Sequence, residues 1–208
     1  MNIQNQKSIA VSGTKLFWTN KRLFDLTTSI FLLPILVVIY FIILCINFLN
    51  NSKEIFFIQK RMGKDCKPFN AIKFRTMTPT NISTREYNDP IEHNRITPLG
   101  KFLRKFRIDE LPQIINVIKG DMSLIGPRPD YHKHAEIFLT NIEGYRERHR
   151  IRPGISGLSQ IRLGYAEGLE ATAKKSHIDN YYIANMGYIL EFKIVYHTII
   201  TIFKGLGS

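Results

Sequence analysis

The chain has 208 residues, of which 44% are hydrophobic and 22% charged, a length and balance that suit one packed domain with a small appendage. Its formal net charge is +12, from 29 Lys and Arg against 17 Asp and Glu, so the expected partner is polyanionic: nucleic acid, an acidic membrane surface or a phosphorylated substrate. The two cysteines, Cys45 and Cys66, have no partner at metal-ligand spacing, which argues against a disulfide framework or a cysteine zinc site.

Residues 1–20 are polar and read as a loose tail, with the domain proper from 21 to 208. No charge falls between Asp25 and Lys53, and the run from Ile30 to Ile46, continued by Phe48 and Leu49, is almost wholly apolar. A membrane-spanning helix needs about 20 such residues. The late start, the length and the lack of a small-residue cleavage site argue against a signal peptide, and apolarity on every side argues against a core helix. Pro34 removes a backbone hydrogen bond and clashes with the carbonyl of Ile30, so a kink is expected. Thr27, Thr28 and Ser29 stand just ahead to satisfy freed backbone groups. Basic residues flank both ends: Lys15, Lys21 and Arg22 before, Lys53, Lys60, Arg61 and Lys64 after. The positive-inside rule draws both flanks to the cytoplasm. A kinked re-entrant segment over about 22–50 accounts for both features, with a straight span as the alternative.

Residues 54–59 and 69–76 read as strands, with a turn over 61–68. Lys73 and Arg75, at the end of the second strand, are candidates for anion contact. A polar loop is expected over 78–97. An amphipathic helix follows over 98–108, with Leu99, Phe102, Leu103 and Phe106 on one face and Lys101, Arg104, Lys105 and Arg107 on the other. Such a helix suits either a membrane interface or the surface of a globular core. Helices are also expected over 112–119, stopped by Gly120, over 131–150, and as one or two apolar segments over 179–203. The fold class is α+β and mainly helical.

Three short units carry possible chemistry. In RKFRIDELPQ, Asp109 and Glu110 are adjacent carboxylates at an expected helix start, with Pro112 in the first turn. Acidic residues there are ordinary capping groups. They also suit a nucleophile beside a metal ligand: Arg104, Lys105 and Arg107 are expected to hold Asp109 ionised, and Glu110 suits Mg²⁺. In GDMSLIGPRPD, Pro127 and Pro129 bracket Arg128 and pre-order its guanidinium for phosphate, or simply build a rigid turn. In RPGISGLSQ, Arg152, Gly154, Ser156, Gly157 and Ser159 offer a backbone cradle for phosphate, a weak signal by itself. Asp179 is either a further metal or substrate carboxylate or a helix cap. No G-x-G-x-x-G, P-loop, helix-turn-helix or RNP-type motif is visible.

Taken in order, KRLFDL, the apolar run with its early proline, KFRTM, LRKFRIDELPQIINVIKGDMSLIGPRP, RPGISGLSQI and IDNYYI resemble the bacterial sugar transferases, the monotopic phosphoglycosyl transferases that begin surface-glycan synthesis. The resemblance runs from about Lys21 to about Phe203, and the size is similar to that of the small members. It implies a re-entrant membrane helix, interfacial amphipathic helices and a small mixed globular part on the cytoplasmic face of the inner membrane. It implies transfer of a sugar-1-phosphate from a UDP-sugar to polyprenyl (undecaprenyl) phosphate, with Mg²⁺ as cofactor, membrane lipids as surroundings and no nucleic acid; a homodimer is compatible with it. By the same resemblance Asp109 is the nucleophile, Glu110 the Mg²⁺ ligand, Arg104 a phosphate contact, and Arg128 and Asp179 parts of the substrate site. Lys73, Arg75, Pro127, Pro129, Arg152 and Gly154 complete the expected substrate contacts. In the family a Ser often directly precedes the re-entrant proline; here Leu33 does, and Ser29 lies further back. A membrane-anchored nucleic-acid-binding protein is the rival reading, and it leaves Asp109, Glu110 and Arg128 without a role.

Overall fold

The apolar run and the residues before it form one helix, α1, from Lys15 to Leu49, in a computed structural model that describes residues 9–49, 54–79, 87, 92–164 and 168–207. The first eight residues of the expected tail, Lys53 of the basic flank and most of the expected loop between 80 and 91 lie outside the described residues. The described part of the tail is docked, not loose. Ser12 donates its N–H to Ile183 O at 3.0 Å and its hydroxyl to Met186 O at 3.2 Å, and Phe17 is buried. The reason is apolar: Val11, Phe17 and Trp18 join the cluster that contains Tyr182, Ile183 and Ile194.

α1 is helical on both sides of Pro34, with no loop between the halves. Thr27 Oγ1 bonds back to Leu23 O at 2.9 Å, whereas Ser29, fully buried, leaves its hydroxyl without a partner among the described residues. The buried positions of α1 are Phe17, Lys21, Asp25, Ser29, Leu36 and Ile43, one stripe at spacings of four and seven. Away from this stripe many apolar side chains of α1 are open; Phe31 is 76% exposed.

The first strands form an antiparallel hairpin, β1 (Phe56–Met62) with β2 (Pro68–Phe74), in register Phe57↔Lys73 and Met62↔Pro68. β1 starts two and ends three residues later than expected, and β2 starts one and ends two residues earlier, because the left-handed backbone of Asp65 and Cys66 makes the turn between them tighter. Next come α2 (Pro98–Lys105) and α3 (Gln113–Lys119). α2 is three residues shorter than expected, since Arg107 turns left-handed at φ 54 and starts a 3₁₀ turn over Ile108–Glu110. Leu36 and Ile43 of α1 pack with Phe74, Leu103 and Ile114 from these elements.

The remainder comprises β3 (Ser123–Ile125), α4 (His132–Asn141), β4 (Gly154–Ser156), α5 (Leu158–Leu163), α6 (Gly168–Ala184) and α7 (Tyr188–Phe203). The expected helix over 131–150 is really α4 and a 3₁₀ turn over Tyr145–His149, parted by Gly144 at φ 72. β3 and β4 form a parallel pair where only turns were expected, and α6 begins well before Asp179.

Candidate active site

Three chain segments converge on the carboxylate of Glu110. The left-handed Arg107 swings the chain out of α2, so that Asp109 and Glu110 lie on the tight turn ahead of α3 and not at its cap, which is Pro112. Lys73 comes from the end of β2 and donates to Glu110 Oε1 at 2.7 Å. Arg128 reaches the same carboxylate with both terminal nitrogens, Nη1 to Oε2 at 3.1 Å and Nη2 to Oε1. Arg107 stands 3.8 Å from Oε2. Burial works against ionisation of Glu110, but Arg128 and Lys73 outweigh it and hold its carboxyl well below the usual range. Burial likewise lowers the Lys73 ammonium from its ordinary value, with Glu110 opposing.

Asp109 is adjacent and electrostatically opposite. It is buried, and among the described residues its carboxylate makes no hydrogen bond and no ion pair within 4.0 Å. Burial raises its carboxyl above the ordinary aspartate value, against the pull of Lys73, Arg128 and Arg104. Of the three basic neighbours expected to favour the ionised form, Arg104 is among the main influences on Asp109, and burial acts against it. Arg104 is itself fixed, its Nε donating to Thr76 Oγ1 at 2.9 Å.

The Pro-Arg-Pro turn is pinned at every carbonyl. Pro127 O accepts from Gly154 N at 3.0 Å, Arg128 O from Arg148 Nη2 at 2.7 Å, Pro129 O from Arg61 Nη1 at 2.9 Å and Asp130 O from Met62 N at 3.0 Å. Gly154 therefore has no free N–H for a phosphate. A Cβ at that position would lie 2.1 Å from Gly126 N, so the glycine serves the close β3–β4 approach. Ser156, Gly157 and Ser159 are buried with it, which removes the expected backbone cradle.

Asp179 also lies inside, behind the turn. Arg148, itself 1% exposed, joins Asp179 at 2.7 Å to Asp130, and Lys175 and Tyr145 also bond Asp130. This network holds the backbone of Arg128, with Asp179 and Arg148 fully inside. Burial of Asp130 is outweighed by Lys175 and Arg148, which hold its carboxyl far below the usual range, whereas burial raises Asp179. Arg148, Lys175 and Thr76 escaped sequence reading because basic runs and single threonines carry no spacing signal. Asp130, directly after Pro129, was the one visible cue.

Arg75 and Arg152 lie elsewhere. Arg75 pairs with Glu54 and stacks 5.6 Å from the Phe57 ring centroid. Arg152 Nε donates to Gly120 O at 2.8 Å, at the far end of α3 from Asp109. Among the described residues no group of three or more His, Cys, Asp or Glu side chains is placed to hold a metal. Asp109 and Glu110 still suit Mg²⁺ as donors, since that ion takes one or two carboxylates plus substrate phosphate oxygens. An ion there competes with Lys73 and Arg128 for Glu110.

The family model described as "Bacterial sugar transferase" matches residues 16–205. The chain is 38% identical over 188 residues to the UDP-N-acetylgalactosamine-undecaprenyl-phosphate N-acetylgalactosaminephosphotransferase of Aeromonas hydrophila, covering 90% of this chain and 44% of that protein. It is 40% identical over 179 residues to the uncharacterized sugar transferase EpsL of Bacillus subtilis (strain 168), covering 86% of this chain and 85% of EpsL. A UDP-glucose:undecaprenyl-phosphate glucose-1-phosphate transferase of Klebsiella pneumoniae is 37% identical over 187 residues, covering 89% of this chain and 40% of that protein.

Proposed function

The chain belongs to the bacterial sugar transferase family, and on that premise we propose that it transfers a sugar-1-phosphate from a UDP-sugar to undecaprenyl phosphate at the cytoplasmic face of the inner membrane, starting a surface glycan. The observation that carries this reading is the unlike pair: Glu110 locked by Lys73 and Arg128, and beside it Asp109, buried and without an ion-pair partner among the described residues. A desolvated carboxylate, once ionised, is a stronger nucleophile than a hydrated one. An Asp109 oxygen attacks the β-phosphorus, the bond from that phosphorus to the bridging oxygen breaks, and UMP leaves with the electron pair. The sugar-phosphate stays on Asp109 as an acyl phosphate. An oxygen of undecaprenyl phosphate then attacks the same phosphorus and releases the carboxylate. Arg128, Lys73 and Arg104 are the cations near enough to Asp109 to shift its carboxyl, and they neutralise charge on the phosphoryl oxygens. Glu110 would hold Mg²⁺, which when bound would supply further charge neutralisation.

The placement of α1 supports a segment that enters and leaves the membrane on one face. Its buried stripe runs from Phe17 to Ile43, about 39 Å of helix at 1.5 Å per residue. The globular part lies against both ends. Arg22 Nη1 donates to Val117 O at 2.8 Å, and Tyr40 stacks 5.7 Å from Phe56. A straight crossing of a hydrocarbon core about 30 Å thick would drag that polar body into lipid. α1 and α7 meet at Phe17 and Tyr188, 5.2 Å apart, and their open apolar faces suit a membrane surface, as does exposed Phe102 beside Phe106.

The test is UMP release from a panel of UDP-sugars with undecaprenyl phosphate. One sugar is expected to support turnover, and Asp109→Asn to cut it by about 10³-fold or more while leaving the protein folded. Turnover retained in Asp109→Asn moves the nucleophile elsewhere; turnover indifferent to a chelator removes the ion.

A further inference from the structure

A cavity of about 210 Å³ lies at the other end of α3, walled by Trp18, Lys21, Arg22, Lys64, Arg150 and Arg152. Arg22 and Arg152 fix its position, donating to Val117 O, Ile118 O and Gly120 O at the C-terminal end of that helix. Asp109 lies before the N-terminal end, so seven residues of helix, about 10 Å, separate the two places.

The wall carries five cations against one carboxylate, Asp25, which accepts from Leu124 N at 3.0 Å. Lys21 is paired with Glu191 at 2.5 Å and Arg150 with Glu147 at 3.3 Å. Among the described residues Lys64 and Arg152 have no carboxylate within 4.0 Å, and both are exposed. Arg152 bonds Gly120 only through Nε, leaving its terminal nitrogens to a ligand. Ser123 adds a hydroxyl on the same wall, on a residue only 3% exposed, with no hydrogen-bond partner among the described residues. A guanidinium, an ammonium and a hydroxyl around one hollow are a donor set for phosphate oxygens.

The location names the source of that phosphate. Lys21, Arg22 and Asp25 are the last charges of α1 before the uncharged run, so the cavity stands at the level where the helix becomes apolar, with the amphipathic ring of Trp18 beside it. At 210 Å³ the cavity falls below the roughly 300 Å³ at which pockets for whole drug-sized ligands begin. We propose that this cavity binds the phosphate of an anionic membrane-lipid headgroup, seating the globular part on the bilayer away from the reaction centre. The proposal rests on the cavity and does not depend on the transfer reaction.

Trp18 is the single tryptophan of the chain, so its emission reports the cavity directly. The full-length protein in neutral detergent is titrated with dihexanoyl phosphatidylglycerol, dihexanoyl phosphatidylcholine and inorganic phosphate, following Trp18 emission and, in parallel, heat. Phosphatidylglycerol is expected to give a saturable signal, weakened at least tenfold in Arg152→Gln and in Lys64→Gln and kept in Arg152→Lys. Circular dichroism checks that each variant is folded. Inorganic phosphate saturating as tightly as the lipid overturns the lipid assignment. An equal response to phosphatidylcholine, affinity unchanged in both glutamine variants, or silence in emission and heat overturns the site.

Discussion

Glu110 and Asp109 follow one another in the chain, yet removing their charges has opposite consequences. Glu110→Gln leaves Lys73 and Arg128 without their counterion in a buried setting. Breaking such a pair costs about 3–5 kcal/mol, toward the lower end here because both cations keep some solvent contact. Asp109→Asn removes a carboxylate that burial already penalises, so thermal unfolding in detergent is expected to show no loss, or a gain. The pH dependence follows the same signs. The folded Glu110 carboxyl lies below its ordinary value of 4.5, so its stabilisation is complete above that pH and is lost as pH falls toward the folded value. The folded Asp109 carboxyl lies above 3.8, so its ionisation costs stability, and that cost is relieved as pH falls through the folded value. Activity should therefore fail on the acid side above the ordinary aspartate range. Equal loss of stability in both variants, or an acid limb at or below 3.8, contradicts the assignment of the unpaired carboxylate to Asp109.

At the scale of elements, α1 carries the sharpest prediction. With the native cysteines replaced, Lys7→Cys and Lys53→Cys should both resist a membrane-impermeant maleimide from the periplasm and react once the inner membrane is permeabilised. Reaction of one end alone shows a straight span. Pro34→Ala, which restores the helix hydrogen bond to Ile30 O, is expected to shift part of the population toward that outcome. The apolar run was legible from its length and lack of charge, and α2 and α3 from helical spacing that includes the residues they bury, Leu103 and Ile114. α6 was hidden up to Asp179 because its inward face is largely polar: Thr172, Lys175, Ser176, Asp179 and Asn180 are all buried. Such a helix has no apolar period to read. The three-residue strands β3 and β4 are too short for alternation, and their glycines suggested loops when they serve close backbone approach. In the candidate site, Asp109, Glu110 and Arg128 were legible as a motif. That Lys73 meets Glu110, that Arg152 bonds Gly120 and that Asp179 pairs with Arg148 depends on tertiary placement across 31 residues or more and leaves no trace in local sequence.

In the proposed reaction a soluble donor and a lipid acceptor have to meet one carboxylate, Asp109. The polar body that carries Lys73, Arg104 and Arg128 meets water, while the open faces of α1, α7 and Phe102 are apolar and suit lipid. An acyl phosphate on Asp109 lets such a layout work without both substrates bound together, since the nucleotide departs into water before the polyprenyl chain needs to reach the site. The first half of the reaction then requires no lipid at all. Rapid mixing with the correct UDP-sugar, in the absence of undecaprenyl phosphate, is expected to release about one equivalent of UMP per active site and then stop. Mass spectrometry of the stalled protein should find the sugar-phosphate on the peptide that contains Asp109, and Asp109→Asn should give neither burst nor adduct. Steady-state rates with both substrates varied should give parallel double-reciprocal lines. Intersecting lines, with UMP appearing only when both substrates are present and no adduct trapped, mean direct transfer between the two phosphates, and Asp109 would then act on charge alone and not as a nucleophile.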